Sequence, residues 1–446
     1  MTIYQHLLGS VLQPAYDRLR SRRYVERSRF LQKSQWWRPE QILDFQWTEA
    51  RALLQHAFEY VPYYRQKYAA AGAAFEDIRT WADFKRLPRL SRDEIRQHRE
   101  ELCSTAYRGK LLPHATGGSS GVPTRFYRTY ESYECRCAAK DRVYSWAGLA
   151  PGARSVYLWG APVGAVPKHT IWKTRAHDAI QRQRIFNTFS QNEELWERIH
   201  REITRYRPAA IVGYVSSLEQ FANYLHTKKR TIAPVSGVIA AAEPLFADVR
   251  RRIEEAFGSP LFNTYGSREF MSVAGECEVR DGLHINSENV LVEASDNAGA
   301  PSEILVTDLH NYGMPFIRYE TGDLGVLTDE QCGCGRGLPR LQAIEGRILD
   351  ALRTSDGRIV PGEFFPHLLK EIPEMVQYRV EQRRLDRIVI SAVLCDELSS
   401  RSRELLESEI SRVLGNGTHW EIQRVAQIPA LPSGKRRITV GMEMHA

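Results

Sequence analysis

Between residues 155 and 264 short apolar runs take turns with amphipathic stretches, and this alternation restricts the fold more than any other feature of the chain. Ser155–Trp159, Ala209–Val212, Gly237–Ala241 and Leu261–Thr264 have the length and apolar character of strands. Between them, Glu193–Tyr206, Ser217–His226 and Phe246–Phe257 have the pattern of helices. A chain that alternates in this way buries its strands between helical layers, so an α/β layered sheet is predicted.

The flanks read differently. Upstream, Ala52, Leu53, Leu54, Ala57, Phe58, Val61, Tyr64 and Tyr68 predict one long helix over 48–72 that tolerates Pro62. A second helix is predicted to start at the Ser91 cap, with Asp93 and Glu94 in its first turn, and a third runs from Glu131 to Trp146. Downstream, short strands at 290–294, 303–307 and 323–327 predict a β-rich subdomain over about 283–345. Strands at Val376–Glu381, Arg387–Val393 and Trp420–Arg424 with a helix at Glu397–Val413 predict a small α+β domain. The expected division is an N-terminal helix over 1–35, a large domain over 36–346 and a small domain over 347–446, hinged near 346–350.

The 446 residues are 43% hydrophobic and 26% charged, ordinary for a globular chain. No apolar run approaches the roughly 20 residues that span a bilayer, and the N-terminus lacks the apolar core of a secretory signal, so a cytoplasmic location is expected. Much of the +7 net charge is local, in Arg18, Arg20, Arg22, Arg23, Arg27 and Arg29. Just before them Tyr4, Leu7, Leu8, Val11, Leu12, Tyr16 and Leu19 recur at helical spacing. Such a helix can lie on an anionic membrane surface or pack on the protein's own body. No recognition motif accompanies the charge, so nucleic acid is not an expected partner. Seven cysteines argue against a disulfide framework, and Cys103, Cys135, Cys137 and Cys395 read as structural thiols. Cys277 and His284, six residues apart, with Cys332 and Cys334, one residue apart, form a Cys₃His set suited to structural Zn²⁺. The alternative is a tight Cys-Gly-Cys-Gly turn with free thiols and a hydrogen-bonded core histidine.

Thr116-Gly117-Gly118-Ser119-Ser120-Gly121-Val122-Pro123 leaves almost no side-chain volume, so amides and hydroxyls can crowd onto an anion. A P-loop would need Lys and Ser or Thr after its last glycine, and Val122-Pro123 stands there instead. Four more stretches follow in order: Tyr265-Gly266-Ser267-Arg268-Glu269, Tyr319-Glu320-Thr321-Gly322-Asp323, Gly346-Arg347 and Leu431-Pro432-Ser433-Gly434-Lys435. Each is unremarkable alone. In this order they resemble the motif series of the acyl-adenylate-forming superfamily, most closely its phenylacetate–coenzyme A ligase-like branch with the capsular-polysaccharide-associated members. Val61-Pro62-Tyr63-Tyr64-Arg65, Pro315-Phe316-Ile317-Arg318-Tyr319 and Gln377-Tyr378-Arg379-Val380 support the resemblance, which runs from about 36 to 443.

The resemblance implies a large domain, a small mobile domain and two half-reactions. A carboxylate attacks the α-phosphorus of ATP to give acyl-AMP and pyrophosphate, and a thiol (coenzyme A or a carrier protein) or an amine then displaces AMP. It implies that Thr116, Ser119, Ser120 and Gly121 hold the phosphates, and that Tyr265, with Gly266 and Ser267 beside it, stacks on adenine. Glu269 would bind Mg²⁺, Asp323 and Arg347 the ribose, and Lys435 the carboxylate and α-phosphate. Some members of the branch carry zinc on a matching Cys/His arrangement. Trp159, Tyr214, Ala241 and Glu243 fall where pocket walls are expected for an aryl or medium hydrophobic acid, with ordinary core packing the alternative for Trp159 and Tyr214. Two departures stand out. Arg268 replaces the usual Thr or Ser before the glutamate, where it could contact phosphate or carboxylate directly or narrow the acyl pocket. Leu349 replaces the usual acidic residue after the hinge arginine, with Asp350 next. A lapsed nucleotide-binding scaffold is the alternative to an active ligase.

Overall fold

Pro62 decides where the first long helix stops. In the computed structural model, which describes residues 2–107, 110–115, 124–160, 168–189, 192–294, 302–345, 352–354, 359–360, 364–369, 371–428 and 439–441, the predicted helix over 48–72 is two helices. Pro39–Tyr60 ends at Val61, whose φ of −113° and ψ of 104° are extended, and Pro62 opens Pro62–Ala70. A proline ring disfavours helical backbone in the residue before it and suits the first helical position, so Pro62 starts a helix rather than being tolerated inside one.

The chain divides into two compact units. The first takes residues up to 115, 124–146 and 263–346. Its strands run Val290–Glu293, Ser302–Asp308, Tyr319–Thr328, Arg340–Glu345, Leu283–Ile285, Ala274–Glu276 and the end of Leu261–Tyr265, each antiparallel to its neighbours. Tyr64, Tyr68, Phe84, Phe126, Phe270 and Phe316 bury an aromatic core against them. The Ser91 cap forms as predicted, a reciprocal box with Glu94 that opens the helix Arg92–Gln97. A pair absent from the sequence reading, Leu112–Ala115 with Arg125–Arg128, is antiparallel and flanks the glycine-rich stretch.

The helix Tyr130–Trp146 carries buried Arg142 in its C-terminal half. Arg142 Nη1 and Nη2 reach Glu288 at 2.6 and 2.8 Å, and Nη1 also donates to the Leu31 carbonyl at 3.2 Å. Ser34 donates to the same carboxylate. These bonds fasten the helix Tyr24–Ser34 to the unit. Ahead of it, Ile3–Leu7, a π turn over Leu8–Leu12 and Gln13–Leu19 form one continuous helical run. Of the two readings of this segment, packing on the body holds only for its inner side, where Leu8 and Asp17 are buried. No helix among the described residues is long and apolar enough to cross a membrane.

The second unit takes 147–262 and 347–446, together with residues outside the described set. Gly237–Ala241, Ala210–Tyr214, Ser155–Trp159 and Gln183–Asn187 lie side by side, all parallel, in the layered arrangement that the alternation predicts. The helix Lys168–Ile180 and the edge strand Gln183–Asn187 were not anticipated. A second sheet orders His419–Arg424, Arg387–Leu394, Met375–Arg384 and Thr439–Val440, covered by the helix Ser400–Leu414. One core serves both sheets: Phe189 and Tyr214 cluster with Phe364, Phe365, Leu368 and Tyr378.

Candidate active site and metal centre

In the first unit the motif residues converge on one charged network. The strand ending at Tyr265 turns at Gly266, where a β-carbon would lie 2.0 Å from the Met271 carbonyl oxygen, so only glycine lets the chain fold back there. That turn brings Glu269 inward, 4% exposed. Tyr319 Oη donates to Glu269 Oε1 at 3.0 Å and accepts from Arg92 Nε at 3.0 Å. Arg92 Nη2 lies 3.7 Å from the same carboxylate oxygen. Burial disfavours the Arg92 charge, but Tyr319, Glu269 and Asp323 outweigh it and hold the guanidinium's pKa up. Tyr265 Oη donates to Asp323 Oδ2 at 2.9 Å. Gly322, at φ 76°, makes the turn that lets the Asp323 amide donate to Thr321 Oγ1 at 3.2 Å.

Arg92 was not singled out from sequence, and Tyr319 was quoted within its motif without a role of its own. Arg92 left a signal nonetheless. It occupies the first position of a helix, where the dipole favours acids, so a cation there asks for a carboxylate partner. Arg268 is half-buried beside Glu269, and Ser267 Oγ is buried without a hydrogen-bond partner. Thr116, Ser119, Ser120, Gly121, Arg347, Leu349, Asp350 and Lys435 lie outside the described residues.

The expected pocket residues belong to the second unit. Trp159 and Tyr214 stack at 4.3 Å between ring centroids, and Tyr214 is fully buried against Phe189. Ala242 takes φ 68°, strained for a residue with a β-carbon, and so turns Glu243 back to Ser216. Glu243 accepts from the Ser216 amide at 2.6 Å and its hydroxyl at 2.9 Å. Burial pushes the Glu243 carboxyl up to about 7 against the opposing pull of those two bonds.

The Cys₃His set assembles. The ligand atoms of Cys277, His284, Cys332 and Cys334 all lie within 4.8 Å of one another. A tetrahedron with zinc–sulfur bonds of about 2.3 Å has sulfur–sulfur edges of about 3.8 Å. Cys277 Sγ and Cys332 Sγ are 3.7 Å apart, and Cys334 Sγ is 3.3 Å from His284 Nε2. His284 Nδ1 faces the Leu338 carbonyl at 3.2 Å, to which its N–H donates, leaving Nε2 unprotonated with its lone pair turned to the set, as metal-bound histidines require. Burial lowers His284 to about 4, so the ring is neutral. Burial also pushes Cys277 up to about 12; at Cys334 the Arg336 amide and guanidinium outweigh burial and the direction is down. Trp37, Ile42, Val143, Trp146 and Leu338 enclose the set.

Residues 352–441 match the family model described as the CapK C-terminal domain. The chain is 23% identical to protein CapK of Staphylococcus aureus over 81% of each chain. It is 28% identical to a phenylacetate-coenzyme A ligase of Thermus thermophilus over 77% of this chain and 79% of that one. Among solved structures, 2-hydroxyisobutyryl-CoA ligase in complex with 2-HIB-AMP and CoA superposes with a TM-score of 0.60 at 21% identity, covering 90% of each chain, which establishes the shared fold. The sequence relatives support a likeness to the phenylacetate–coenzyme A ligase-like branch of the acyl-adenylate-forming proteins.

Proposed function

We propose that this chain activates a carboxylic acid with ATP as acyl-AMP and transfers the acyl group to the thiol of coenzyme A. The observation that carries the reading is the convergence of Glu269, Asp323 and Tyr265 with Arg92 and Tyr319 in one network of the first unit. Two buried or half-buried carboxylates beside a fixed guanidinium suit a nucleotide, which brings ribose hydroxyls to one acid and a phosphate-bound cation to the other.

In the first half-reaction a substrate carboxylate oxygen bonds to the α-phosphorus, and the bond to the β-phosphate bridging oxygen breaks, its electron pair leaving with pyrophosphate. In the second, a thiolate bonds to the acyl carbon and the acyl–phosphate bond breaks, releasing AMP. Glu269 is a hard oxygen donor, and one carboxylate with substrate phosphates is the usual protein share of a Mg²⁺ site. When bound, Mg²⁺ neutralises phosphate charge. Tyr319 and Arg92 hold Glu269 in one orientation, and Asp323, oriented by Tyr265, would accept from the ribose. Lys435 and Arg347 take their assigned roles from the motif order alone, as do Thr116, Ser119, Ser120 and Gly121. Trp159, Tyr214 and Ala241 would favour an aryl or medium hydrophobic acid, with Glu243 at the polar end. The four ligands at Cys277, His284, Cys332 and Cys334 leave no open position, so zinc there would pin the loops around the strands Ala274–Glu276 and Leu283–Ile285 rather than act on substrate.

Carboxylate-dependent ATP–pyrophosphate exchange over a panel of aromatic and fatty acids tests the reading. Exchange with at least one acid is expected, lost in Lys435→Ala while ATP affinity is kept. No exchange with any acid alongside intact ATP binding would make the chain a scaffold.

A further inference from the structure

The N-terminal helical run leaves one side bare. Ile3 is 91% exposed, Leu19 81%, Val11 53%, and Leu7, Leu12 and Tyr16 are each more than two-fifths exposed. Single exposed apolar side chains need no explanation, but a row of six along one helix does. Its orientation is fixed from the other side. Asp17 is buried, accepts from the Val25 amide at 2.8 Å and from Gln13 Nε2 at 2.9 Å, and so clamps the run to the following helix. The π turn at Leu8–Leu12 matters here. Residues spaced four apart drift around an α-helix, and the longer i to i+5 turn cancels part of that drift, keeping Ile3, Leu7 and Val11 in line with Leu19.

Cations border the row. Arg22, Arg23 and Arg27 are engaged by Glu134, Glu26 and Glu131. Arg18, Arg20 and Arg29 are exposed and form no ion pair among the described residues. Between Gln13–Leu19 and Tyr24–Ser34 lies an open groove of about 590 Å³, lined by Arg18, Arg22, Arg23, Arg29 and Lys33 against only Asp17 and Glu26. Cations outnumber acids in the groove's lining, and it adjoins the apolar row.

We propose that this segment docks the protein on an anionic phospholipid surface. The apolar row enters the boundary between headgroups and acyl chains, and the groove and the three unengaged arginines meet lipid phosphates. Pairing of this face with a second copy would cover the row as well. It would also bring the uncompensated arginines of both copies together, where like charges oppose association.

The test uses the full chain with vesicles of phosphatidylcholine alone and of phosphatidylcholine with phosphatidylglycerol in equal parts. Co-sedimentation is expected only with the anionic vesicles and weakens as salt rises. Arg18→Gln and Arg20→Gln should each weaken it about fivefold, from the roughly 1 kcal/mol that one basic residue contributes at such a surface. Leu7→Glu with Val11→Glu should abolish it, with thermal unfolding and pyrophosphate exchange unchanged because both side chains face solvent. Equal binding to both vesicle types, no binding to either, or parent-like binding by the Leu7→Glu, Val11→Glu protein would overturn the proposal. So would a dimer in solution that this double substitution converts to monomer.

Discussion

Replacing Cys332 with serine removes one donor from the Cys₃His set, and the structure sets the scale of the loss. Cys277 and Cys332 are 55 residues apart in sequence. An ion joining them closes that span in the unfolded chain, and the loop-closure relation used for disulfides gives about 4 kcal/mol for a loop of this length. The first unit has roughly 220 residues, and for a body of that size each kcal/mol moves the unfolding midpoint by about 2–4 °C. The Cys332→Ser protein should therefore unfold about 8–16 °C lower than the parent. Part of any shift comes from burying a hydroxyl in place of a thiol, so Cys135→Ser, at a buried thiol outside the set, serves as the control. Elemental analysis should find one zinc per parent chain and less in Cys332→Ser, with differential scanning fluorimetry reading the midpoints. A parent free of zinc would refute the assignment. So would a variant that loses zinc yet unfolds no lower than the Cys135→Ser control.

Two further outcomes follow from the carboxylates. Tyr319→Phe removes the hydroxyl between Arg92 and Glu269; a hydrogen bond to a charged group contributes about 1.5–3 kcal/mol, so pyrophosphate exchange should fall by about 10- to 150-fold and need more Mg²⁺. An unchanged rate and Mg²⁺ requirement would show that Tyr319 does not position Glu269. Glu243 is raised to about 7, so the folded state holds its proton where the unfolded chain has released it. Its stabilising contribution is complete below the ordinary carboxyl range near 4.5 and disappears as pH rises through 7, at most about 3 kcal/mol and less for the solvent that reaches the partly exposed side chain. Urea midpoints at pH 5 and pH 8 should therefore differ more in the parent than in Glu243→Gln; identical differences would refute the shift.

The sequence was most informative where burial is two-sided. Ser155–Trp159 and Gly237–Ala241 match the predicted strands residue for residue, because a strand covered on both faces is apolar throughout. Gln183–Asn187 escaped notice because it is an edge strand with exposed Arg184 and Ile185, and its polar sequence carries no such run. Pro62 was misread because helical periodicity continues across it; only the backbone restriction on Val61 breaks the helix. The Cys₃His set was legible in residue types but not in geometry, since His284 and Cys334 are 50 residues apart. Arg92 stayed hidden for the opposite reason. Its one local signal is a cation at a helix start, and the partners that give it a role, Glu269 and Tyr319, lie far away in sequence.

The buried Arg142–Glu288 pair also decides how the N-terminal segment can be divided. Residues 1–35, read from sequence as an amphipathic basic helix, include the run Ile3–Leu19 and the helix Tyr24–Ser34, which are held differently. Leu31 and Ser34 satisfy the Arg142–Glu288 pair, and Gln35 Oε1 accepts from both Trp146 Nε1 at 2.9 Å and Arg336 Nε at 3.0 Å. Removing them would uncover the Arg142–Glu288 pair, take one partner from each of its members, and leave the Trp146 indole N–H without its acceptor. The run before Tyr24 is held by fewer ties: buried Leu8, the bond from the Val25 amide to Asp17, and the Arg22–Glu134 pair. A protease that trims the chain up to that point should therefore destabilise it less than cleavage a dozen residues further on, which also removes Leu31, Ser34 and Gln35.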